Sequence, residues 1–267
     1  MARWSAGGGF TAIGPRAQNQ DAFLSEGGVH VVADGMGGHA GGAEAAAAVV
    51  DAFRPLVDAD PITPAEVSDA VARARELVEE VARSTGGYSG STLTGAIAIE
   101  YDGEPWWLVI NVGDSRAYAI DGTHAHQITV DHSHVQELVD AGRITPEQAL
   151  WHPDRNLVTR AIGDGRPGFD GWLIRARPGL RLVLASDGLM KSVPDASIGE
   201  IAANAGRPLE AAQMLVDHAI AEGTNDNVTV VIADTLDART DPDASGEPWI
   251  VWGDFLEDVD TTVERSA

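Results

Sequence analysis

The chain of 267 residues contains no cysteine and only one lysine, Lys191. The absence of cysteine excludes disulfides, zinc–thiolate sites and thiol nucleophiles. The chain also lacks a run of about 18 apolar residues, the minimum that a membrane-spanning helix requires. Its first residues lack the apolar stretch of a secretory signal. These absences predict a cytoplasmic protein without a membrane span.

Basic residues are scarce as well. The chain has 18 Lys and Arg residues against 41 Asp and Glu residues, which gives a formal net charge of −23. Such a protein repels nucleic acid and anionic membrane surfaces, so neither is expected as a partner. Most of this charge is explained by solubility, but carboxylates that crowd together at one site require cations to neutralise them.

Four short turns, each with an aspartate, lie beside apolar runs that are far apart in sequence. These aspartates are Asp34, Asp114, Asp187 and Asp226. Each lies where a predicted strand begins or ends. One such turn is ordinary loop chemistry, whereas four indicate strand ends gathered around a shared cation. Because no cluster of nitrogen or sulfur ligands accompanies them, the predicted ion is hard, of the magnesium or manganese kind.

The order of the predicted elements favours stacked antiparallel sheets. Strand-like segments at 2–12 and 22–33 come first, followed by two helices and by more strands, the last of them at His126–Val130. An insertion over about 131–171, further strands, two helices and a final strand complete the order. Strands and helices do not alternate strictly, which argues against a doubly wound parallel sheet. We therefore predict an α+β fold in one domain over 1–236. The acidic segment 237–267 is predicted to be a disordered tail, or alternatively a docking segment around Trp249–Trp252.

Seven short motifs occur in a fixed order along residues 2–235. They are Arg16-Ala17-Gln18-Asn19-Gln20-Asp21, Asp34-Gly35-Met36-Gly37-Gly38-His39, Gly90-Ser91-Thr92, Gly113-Asp114-Ser115-Arg116, Thr129-Val130-Asp131-His132-Ser133, Ser186-Asp187-Gly188-Leu189 and Asp226-Asn227-Val228-Thr229. Together they resemble the metal-dependent protein phosphatase family, type 2C, in its bacterial form. The resemblance implies a four-layer α-β-β-α sandwich of two antiparallel sheets flanked by helix pairs, with a small flap at about 131–171.

The resemblance also implies an activity and its cofactors. The implied reaction is hydrolysis of phosphoserine and phosphothreonine in proteins by a hydroxide that bridges two Mn²⁺ or Mg²⁺ ions, without a phosphoenzyme. The expected partners are phosphorylated proteins, the products of a serine/threonine kinase, and the protein is expected to be a monomer. One alternative is a catalytically inactive relative that binds phosphoproteins as a regulatory module. Another is a metal hydrolase that acts on small phosphate esters.

Five residues are implied to form the core metal site. By resemblance, Asp34 bridges both ions, and the carbonyl of Gly35 ligates one of them. Asp187 and Asp226 supply the other core carboxylates, from the ends of different strands. Asp21 contributes directly, through water, or by orienting the site. For Asp34, Asp187 and Asp226 the alternative is an ordinary turn or cap residue.

Two further positions concern the metal ions. Asp114 matches the carboxylate that helps to hold a third, weaker metal in bacterial members of the family; its alternative is a turn residue paired with Arg116. Arg116 itself is expected to form a structural ion pair. Gln20 stands where many members carry Glu, and because an amide has no negative charge, direct metal ligation there is in doubt.

Two residues are implied to act on the substrate. Arg16 matches the arginine that grips the substrate phosphate, for which its planar fork is suited; the alternative is a surface arginine. His39 matches a position that could protonate the leaving alkoxide, and its alternative is a histidine that orients water or an aspartate. His132 and His152, in the insertion, are expected to be structural.

Overall fold

The computed structural model describes residues 4–37, 41–101 and 103–236, together with the backbone of 249–251. Its strands are β1 Ser5–Ala12, β2 Asp21–Glu26, β3 Val29–Gly37, β4 Ser89–Ser91, β5 Leu93–Tyr101, β6 Glu104–Val112, β7 Arg116–Asp121, β8 His124–Gln127, β9 Asp170–Arg175, β10 Arg181–Ala185, β11 Val228–Thr235 and β12 Trp249–Val251. Its helices are α1 Gly41–Phe53, α2 Pro64–Thr85, α3 His134–Asp140, α4 Pro146–Ala149, α5 Asp187–Met190, α6 Asp195–Asn204 and α7 Pro208–Ala221. A short 3₁₀ helix, Arg54–Asp58, follows α1.

The strands form two antiparallel sheets. The smaller sheet has the order β1-β11-β10-β7-β8, so the last long strand of the chain, β11, lies between β1 and β10. The larger sheet has the order β12-β9-β6-β5-β3-β2, and β4 pairs with the end of β3. The predicted antiparallel α+β architecture is confirmed.

Strand β6 shows why the two sheets are stacked. Leu108 and Ile110 belong to the cluster that includes α1 and α2, whereas Trp107 and Val109 belong to the cluster between the sheets. Since successive side chains of a strand point to opposite faces, both faces of this strand are covered. A third cluster packs α6 and α7 on the smaller sheet. The layers are therefore helix, sheet, sheet and helix, as predicted.

Helix α2 has strong signals at both ends. Thr63 and Glu66 form a capping box, Pro64 occupies the first turn, and Gly86 ends the helix in the left-handed conformation. Val67, Val71 and other residues at spacings of three and four face the core.

No helix in the described part of the chain is long and apolar enough to cross a membrane.

The segment predicted as an insertion contains α3 and α4 and rejoins the larger sheet at β9. It contacts the strands that carry the aspartate turns. Ile162 forms a bridge with Ser91 of β4, and His132 donates its backbone N–H to the carbonyl of Gly113 at 2.9 Å. The acidic tail lies outside the described residues, apart from the backbone of β12, which pairs with β9.

Three local predictions were wrong. The segment 22–33, predicted as one strand, forms β2 and β3, because Gly27 and Gly28 adopt positive φ angles and make a tight turn between them. The strand predicted at His126–Val130 is β8, and it begins and ends earlier. Asp34 does not end its strand, because β3 continues to Gly37 by changing its partner from β5 to β4.

Candidate active site

A cavity of about 250 Å³, which we call the cleft, opens at one end of the stacked sheets. The elements that meet there are the β1–β2 loop, the end of β3, the β6–β7 loop, the flap, α5 and the loop before β11. The cleft is lined by Arg16, Gln20, Asp34, Gly35, Met36, Thr92, Asp114, Asn156, Val158, Asp187, Lys191, Asp226 and Asn227. Four of the predicted carboxylates therefore face one cavity.

Asp34 is held at the point where β3 changes partners. Its backbone N–H donates to Thr92 Oγ1 at 2.9 Å, and its carbonyl accepts the N–H of Thr92 at 2.9 Å. The next residue must be glycine, because a Cβ on Gly35 would lie 2.0 Å from the carbonyl oxygen of Gly42. The close approach of α1 thus explains the Asp-Gly pair.

Asp21 lies directly opposite Asp34 in the β2–β3 register. Its Oδ2 accepts hydrogen bonds from the hydroxyls of Ser186 and Thr229, both at 2.7 Å. These two donors come from the end of β10 and from β11, so the carboxylate joins the two sheets. Its Oδ1 is buried and has no hydrogen-bond partner.

Asp187 and Asp226 share one cation, the ammonium group of Lys191. The Nζ atom lies 2.5 Å from Asp187 Oδ2 and 2.7 Å from Asp226 Oδ2. Asp187 begins the short helix α5, and Lys191 follows four residues later, on the same side of the helical turn. Asp187 Oδ1 is buried without a hydrogen-bond partner.

Close backbone packing brings the loop before β11 against α5. A Cβ on Gly188 would lie 1.9 Å from the carbonyl oxygen of Asn227, so only glycine fits there. The buried side chain of Asn227 donates to the carbonyls of Ile13 and Gln18 at 2.8 and 3.0 Å and accepts the N–H of Gln20 at 2.9 Å. Asn227 therefore ties the β1–β2 loop to the loop that carries Asp226.

Asp114 lies in the β6–β7 loop and is 9% exposed. The predicted alternative, an ion pair with Arg116, is not observed. Arg116 instead forms a forked pair with Asp131, at 2.9 Å from Nε to Oδ1 and 2.7 Å from Nη2 to Oδ2. Arg116 is thus a structural ion-pair partner, and Asp114 faces the cleft.

The predicted substrate residues have different outcomes. Arg16 is half exposed at the cleft, with Nη2 at 2.9 Å from Asp226 Oδ2 and Nε donating to the carbonyl of Asn225 at 2.9 Å. Gln20 lines the cleft, and its Nε2 is 3.5 Å from the carbonyl oxygen of Gly37. His39 lies outside the described residues.

His132 and His152, the two histidines predicted to be structural, lie in the flap. His132 accepts the N–H of Gly113 at Nδ1 (3.0 Å), so its Nε2 carries the proton that it shares with Asp170 Oδ2 at 3.1 Å. It therefore couples the flap to the loop that carries Asp114. His152 accepts the N–H of Asp154 within its own turn.

The electrostatics of the cleft disfavour negative charge. Burial raises the pKa of Asp21 to about 6, against the two hydroxyl donors that lower it. Burial and the charge of Asp187 raise the pKa of Asp114 to about 7. The pKa of Asp34 is raised well above its usual value by burial, and then by Asp21 and Asp187. Burial also raises the pKa of Asp187, although Lys191 opposes the shift.

The donor set fits a hard divalent cation. All the side-chain donors are carboxylate oxygens, two of which are buried without a partner, and the raised pKa values indicate a deficit of positive charge. As the side chains stand, no three His, Cys, Asp or Glu residues of the described chain lie close enough together to hold a metal ion. One oxygen of Asp187 and one oxygen of Asp226 are instead paired with the ammonium group of Lys191.

Comparison with known proteins agrees with this architecture. The sequence profile of protein phosphatase 2C matches residues 9–222. The chain belongs to the protein phosphatase 2C family. As a member of this family it is similar to the serine/threonine protein phosphatase PstP of Mycobacterium tuberculosis, with 38% identity over 239 residues. That match covers 86% of this chain and 45% of PstP, so the chain spans less than half the length of that relative.

Solved structures of other family members share the fold. The crystal structure of the Mycobacterium tuberculosis phosphatase PstP/Ppp superposes with a TM-score of 0.81 at 34% identity, over 87% of this chain and 99% of that one. The catalytic domain of PstP in complex with two manganese ions superposes with a TM-score of 0.78 at 33% identity. It likewise covers 87% of this chain and 99% of the other.

Several residues of the site were not predicted from the sequence. Thr92 lies in a recognised motif to which no catalytic or metal-binding role was assigned, yet it holds the backbone of Asp34. The hydroxyls of Ser186 and Thr229 were not assigned to Asp21, although both lie in motifs that were recognised. Lys191 was noted only as the single lysine, and its spacing of four from Asp187 was the one available signal.

Proposed function

We propose that this member of the protein phosphatase 2C family hydrolyses phosphoserine and phosphothreonine in proteins, with Mn²⁺ or Mg²⁺ as cofactor. The observation that carries the proposal is the convergence of Asp34, Asp187 and Asp226 on one cavity. In addition, one carboxylate oxygen of Asp187 and one of the neighbouring Asp21 are buried without a hydrogen-bond partner. The similarity to PstP, a serine/threonine protein phosphatase whose catalytic domain is known with two manganese ions, supports both the activity and the cofactor.

The proposed metal ligands are Asp34, the carbonyl of Gly35, Asp187 and Asp226, with Asp21 as a direct or water-mediated contributor. Asp114 is proposed to serve a third, weaker ion. When bound, the metal ions would supply Lewis-acid polarisation of the phosphoryl group and activation of the attacking water.

The surrounding residues would keep these ligands in place. Thr92 fixes the backbone of Asp34 through two hydrogen bonds. Ser186 and Thr229 fix one oxygen of Asp21, which leaves the other directed away from protein donors. Such supporting hydrogen bonds orient ligands before a cation arrives.

Arg16 is proposed to bind the phosphate of the substrate. Its guanidinium group lies at the cleft, where the carbonyl of Asn225 and the carboxylate of Asp226 orient it. A planar fork can bind two phosphoryl oxygens at once and stabilise the charge that develops on them. The proton donor to the leaving oxygen stays a prediction, because His39 lies outside the described residues.

The proposal is tested by phosphate release from phosphothreonine peptides after metal removal and reloading with Mn²⁺ or Mg²⁺. We expect turnover that depends on added metal, and a loss of about a thousandfold in Asp187→Ala, because a ligand that anchors charge stabilisation is worth several kcal/mol. Asp51→Ala, on the exposed end of α1, is the matched control. Wild-type protein that binds phosphopeptides without turnover would instead establish the regulatory, inactive alternative.

The remaining predictions concern the setting of the protein. We infer that residues 1–236 form the catalytic domain, with a flap at about 131–171, and that 237–267 form an acidic tail. We further infer that the substrates are products of a serine/threonine kinase, and that the protein is a cytoplasmic monomer. Size-exclusion chromatography with light scattering tests the monomer, and a dimer at micromolar concentration would contradict it.

A further inference from the structure

Lys191 stands out because this chain has no other lysine, and this one points into the cleft. Its ammonium group contacts one oxygen of Asp187 and one oxygen of Asp226. Both aspartates are proposed metal ligands. The ammonium therefore lies between two carboxylates that a divalent cation would bind.

We propose that the Lys191 ammonium group takes the place of a cation in the proposed metal site, and that an incoming divalent ion must displace it from Asp187 and Asp226. This inference rests on the proposed metal centre. It adds a property of this chain, namely that a side chain of the protein competes with the cofactor for the same oxygens.

The charge balance of the cleft supports the competition. Five aspartates, Asp21, Asp34, Asp114, Asp187 and Asp226, face or adjoin the cleft, and among the residues that the structure describes only Lys191 and Arg16 bring positive charge to it. Arg16 reaches only Asp226, at 2.9 Å, and is half exposed. Lys191 thus supplies the cation that Asp187 contacts. A divalent ion at that position would repel the ammonium group over a few ångströms.

The side chain also has a route out of the cleft. The Lys191 side chain is 26% exposed, and its backbone lies at the end of the short helix α5. A lysine has a flexible four-carbon stem and a strongly hydrated head, so the ammonium can move into water without unfolding α5. An arginine held by a bidentate fork would not leave as readily.

Two carboxylate oxygens without partners show how far the ammonium group satisfies the carboxylates of the cleft. Asp187 contacts Lys191 through Oδ2 only, and its Oδ1 is buried without a hydrogen bond. Asp21 Oδ1 is in the same condition. A single ammonium therefore satisfies the cleft incompletely, which leaves a driving force for a cation of higher charge.

The decisive measurement is direct binding of Mn²⁺ to metal-stripped protein, in which free Mn²⁺ is followed by electron paramagnetic resonance. We expect Lys191→Met to bind Mn²⁺ about tenfold more tightly than the wild type, since the competing charge is removed. Metal-free Lys191→Met should melt at a lower temperature than the metal-free wild type, because its carboxylates lose their counter-ion. If Lys191 had a merely structural role, its substitution by Met would lower both the affinity for Mn²⁺ and the stability of the protein.

Three variants control this test. Lys191→Gln repeats it in case the apolar substitution impairs folding. Lys191→Arg keeps the charge and should not tighten Mn²⁺ binding. Arg54→Met removes a basic residue from an exposed pair with Asp51 and should change neither quantity. One contrary result is that the wild type binds Mn²⁺ while both Lys191→Met and Lys191→Gln bind it no more tightly than the wild type does. This result overturns the inference about Lys191 and leaves the proposed metal centre standing. Binding of Mn²⁺ to none of these proteins overturns the proposed metal centre as well.

The single lysine also permits a direct view of the displacement. Reductive ¹³C-methylation labels Lys191 and the chain's α-amine, and the Lys191→Arg protein identifies which NMR resonance belongs to the lysine. We expect the lysine resonance to shift on titration with Mg²⁺, with a midpoint equal to the Mg²⁺ dissociation constant. A resonance that does not move when Mg²⁺ saturates the protein shows that the ammonium stays in place, and this would overturn the proposal.

Discussion

Two sets of aspartates in this protein have opposite surroundings. The arginine-paired set, Asp131, Asp170 and Asp234, lies along the strands and the flap. Asp131 and Asp234 each receive a guanidinium fork, from Arg116 and Arg181, at 2.7 to 2.9 Å. The cleft set consists of Asp21, Asp34, Asp114, Asp187 and Asp226. Within the described part of the chain, its only cationic neighbours in the cleft are Lys191 and Arg16.

The pKa values of the two sets differ accordingly. Burial opposes ionisation of Asp170, but the hydrogen bond from His132 and the charge of Arg160 outweigh it and lower the pKa of the carboxyl group. Burial dominates in the cleft, where the pKa values of Asp34 and Asp114 are raised. The fold thus balances its structural carboxylates internally and leaves the cleft short of positive charge, which fits a site that takes its cations from solution.

The largest expected effect is in the cleft set. Asp34→Asn should lower phosphatase activity about a thousandfold, equivalent to about 4 kcal/mol, because the proposed bridging carboxylate is lost. The same change should stabilise the metal-free protein by about 1 kcal/mol at pH 8, since it removes a buried charge that its surroundings disfavour. Phosphate release and urea unfolding in chelator measure the two effects. If Asp34→Asn lost stability as well as activity, the cleft aspartates would not differ from the arginine-paired aspartates in the way we describe.

The arginine-paired set should show the reverse pattern. Arg181→Met should cost about 3 kcal/mol of stability, because it leaves Asp234 without its fork and removes donors to the carbonyls of Ala205 and Gly206. Activity per folded molecule should stay within about twofold, since Arg181 begins β10 at the end remote from Asp187 and Lys191. Urea unfolding and phosphate release check this. The double variant with Asp234→Leu is the control, because it removes both charges and should recover part of the loss.

A smaller effect concerns pH. The folded-state pKa of Asp114 is about 7, above the usual value of an aspartate, so the folded state binds more protons between about pH 4 and 7. Its contribution therefore lowers stability as pH rises through that range. In chelator, Asp114→Asn should be more stable than the wild type by about 2 kcal/mol at pH 8, with the difference vanishing near pH 4.

The pH dependence must be read from the difference in stability between the wild type and Asp114→Asn, because His30 changes stability with pH in the opposite direction. Burial lowers the pKa of His30 to about 4, so its contribution to stability is lost as pH falls from about 6.5 to 4. Both proteins carry His30, so its contribution cancels in the difference between their stabilities. A stability difference that is the same at pH 5 and pH 8 would show that Asp114 is ionised throughout.

Local patterns predicted the fold and most of the candidate site. Apolar alternation and the capped helix α2 could be read from neighbouring residues, and the Asp-Gly pairs at Asp34 and Asp187 were visible as turns. The split of 22–33 into two strands was missed, although Ser25-Glu26-Gly27-Gly28 is a polar, glycine-containing turn signal between two apolar runs.

Long-range contacts explain what could not be predicted. The hydroxyls that hold Asp21 come from Ser186 and Thr229, in distant motifs, and no local pattern pairs them. Lys191 reaches Asp226 only because Gly188 allows α5 to pack against the loop at Asn227. The change of partner at Asp34 likewise depends on β4, which is far from β3 in sequence.

The position of β11 has a consequence for the order in which the protein is made. This strand is synthesised after every other long strand, yet it lies inside the smaller sheet, between β1 and β10. The loop before it carries Asp226 and Asn227, and Asn227 secures the loop next to Arg16. A nascent chain that ends before Val228 therefore holds most of both sheets but lacks the strand that joins β1 to β10. All of β11 must leave the ribosome before the cleft can be completed, so we expect partial chains to lack the proposed activity throughout synthesis.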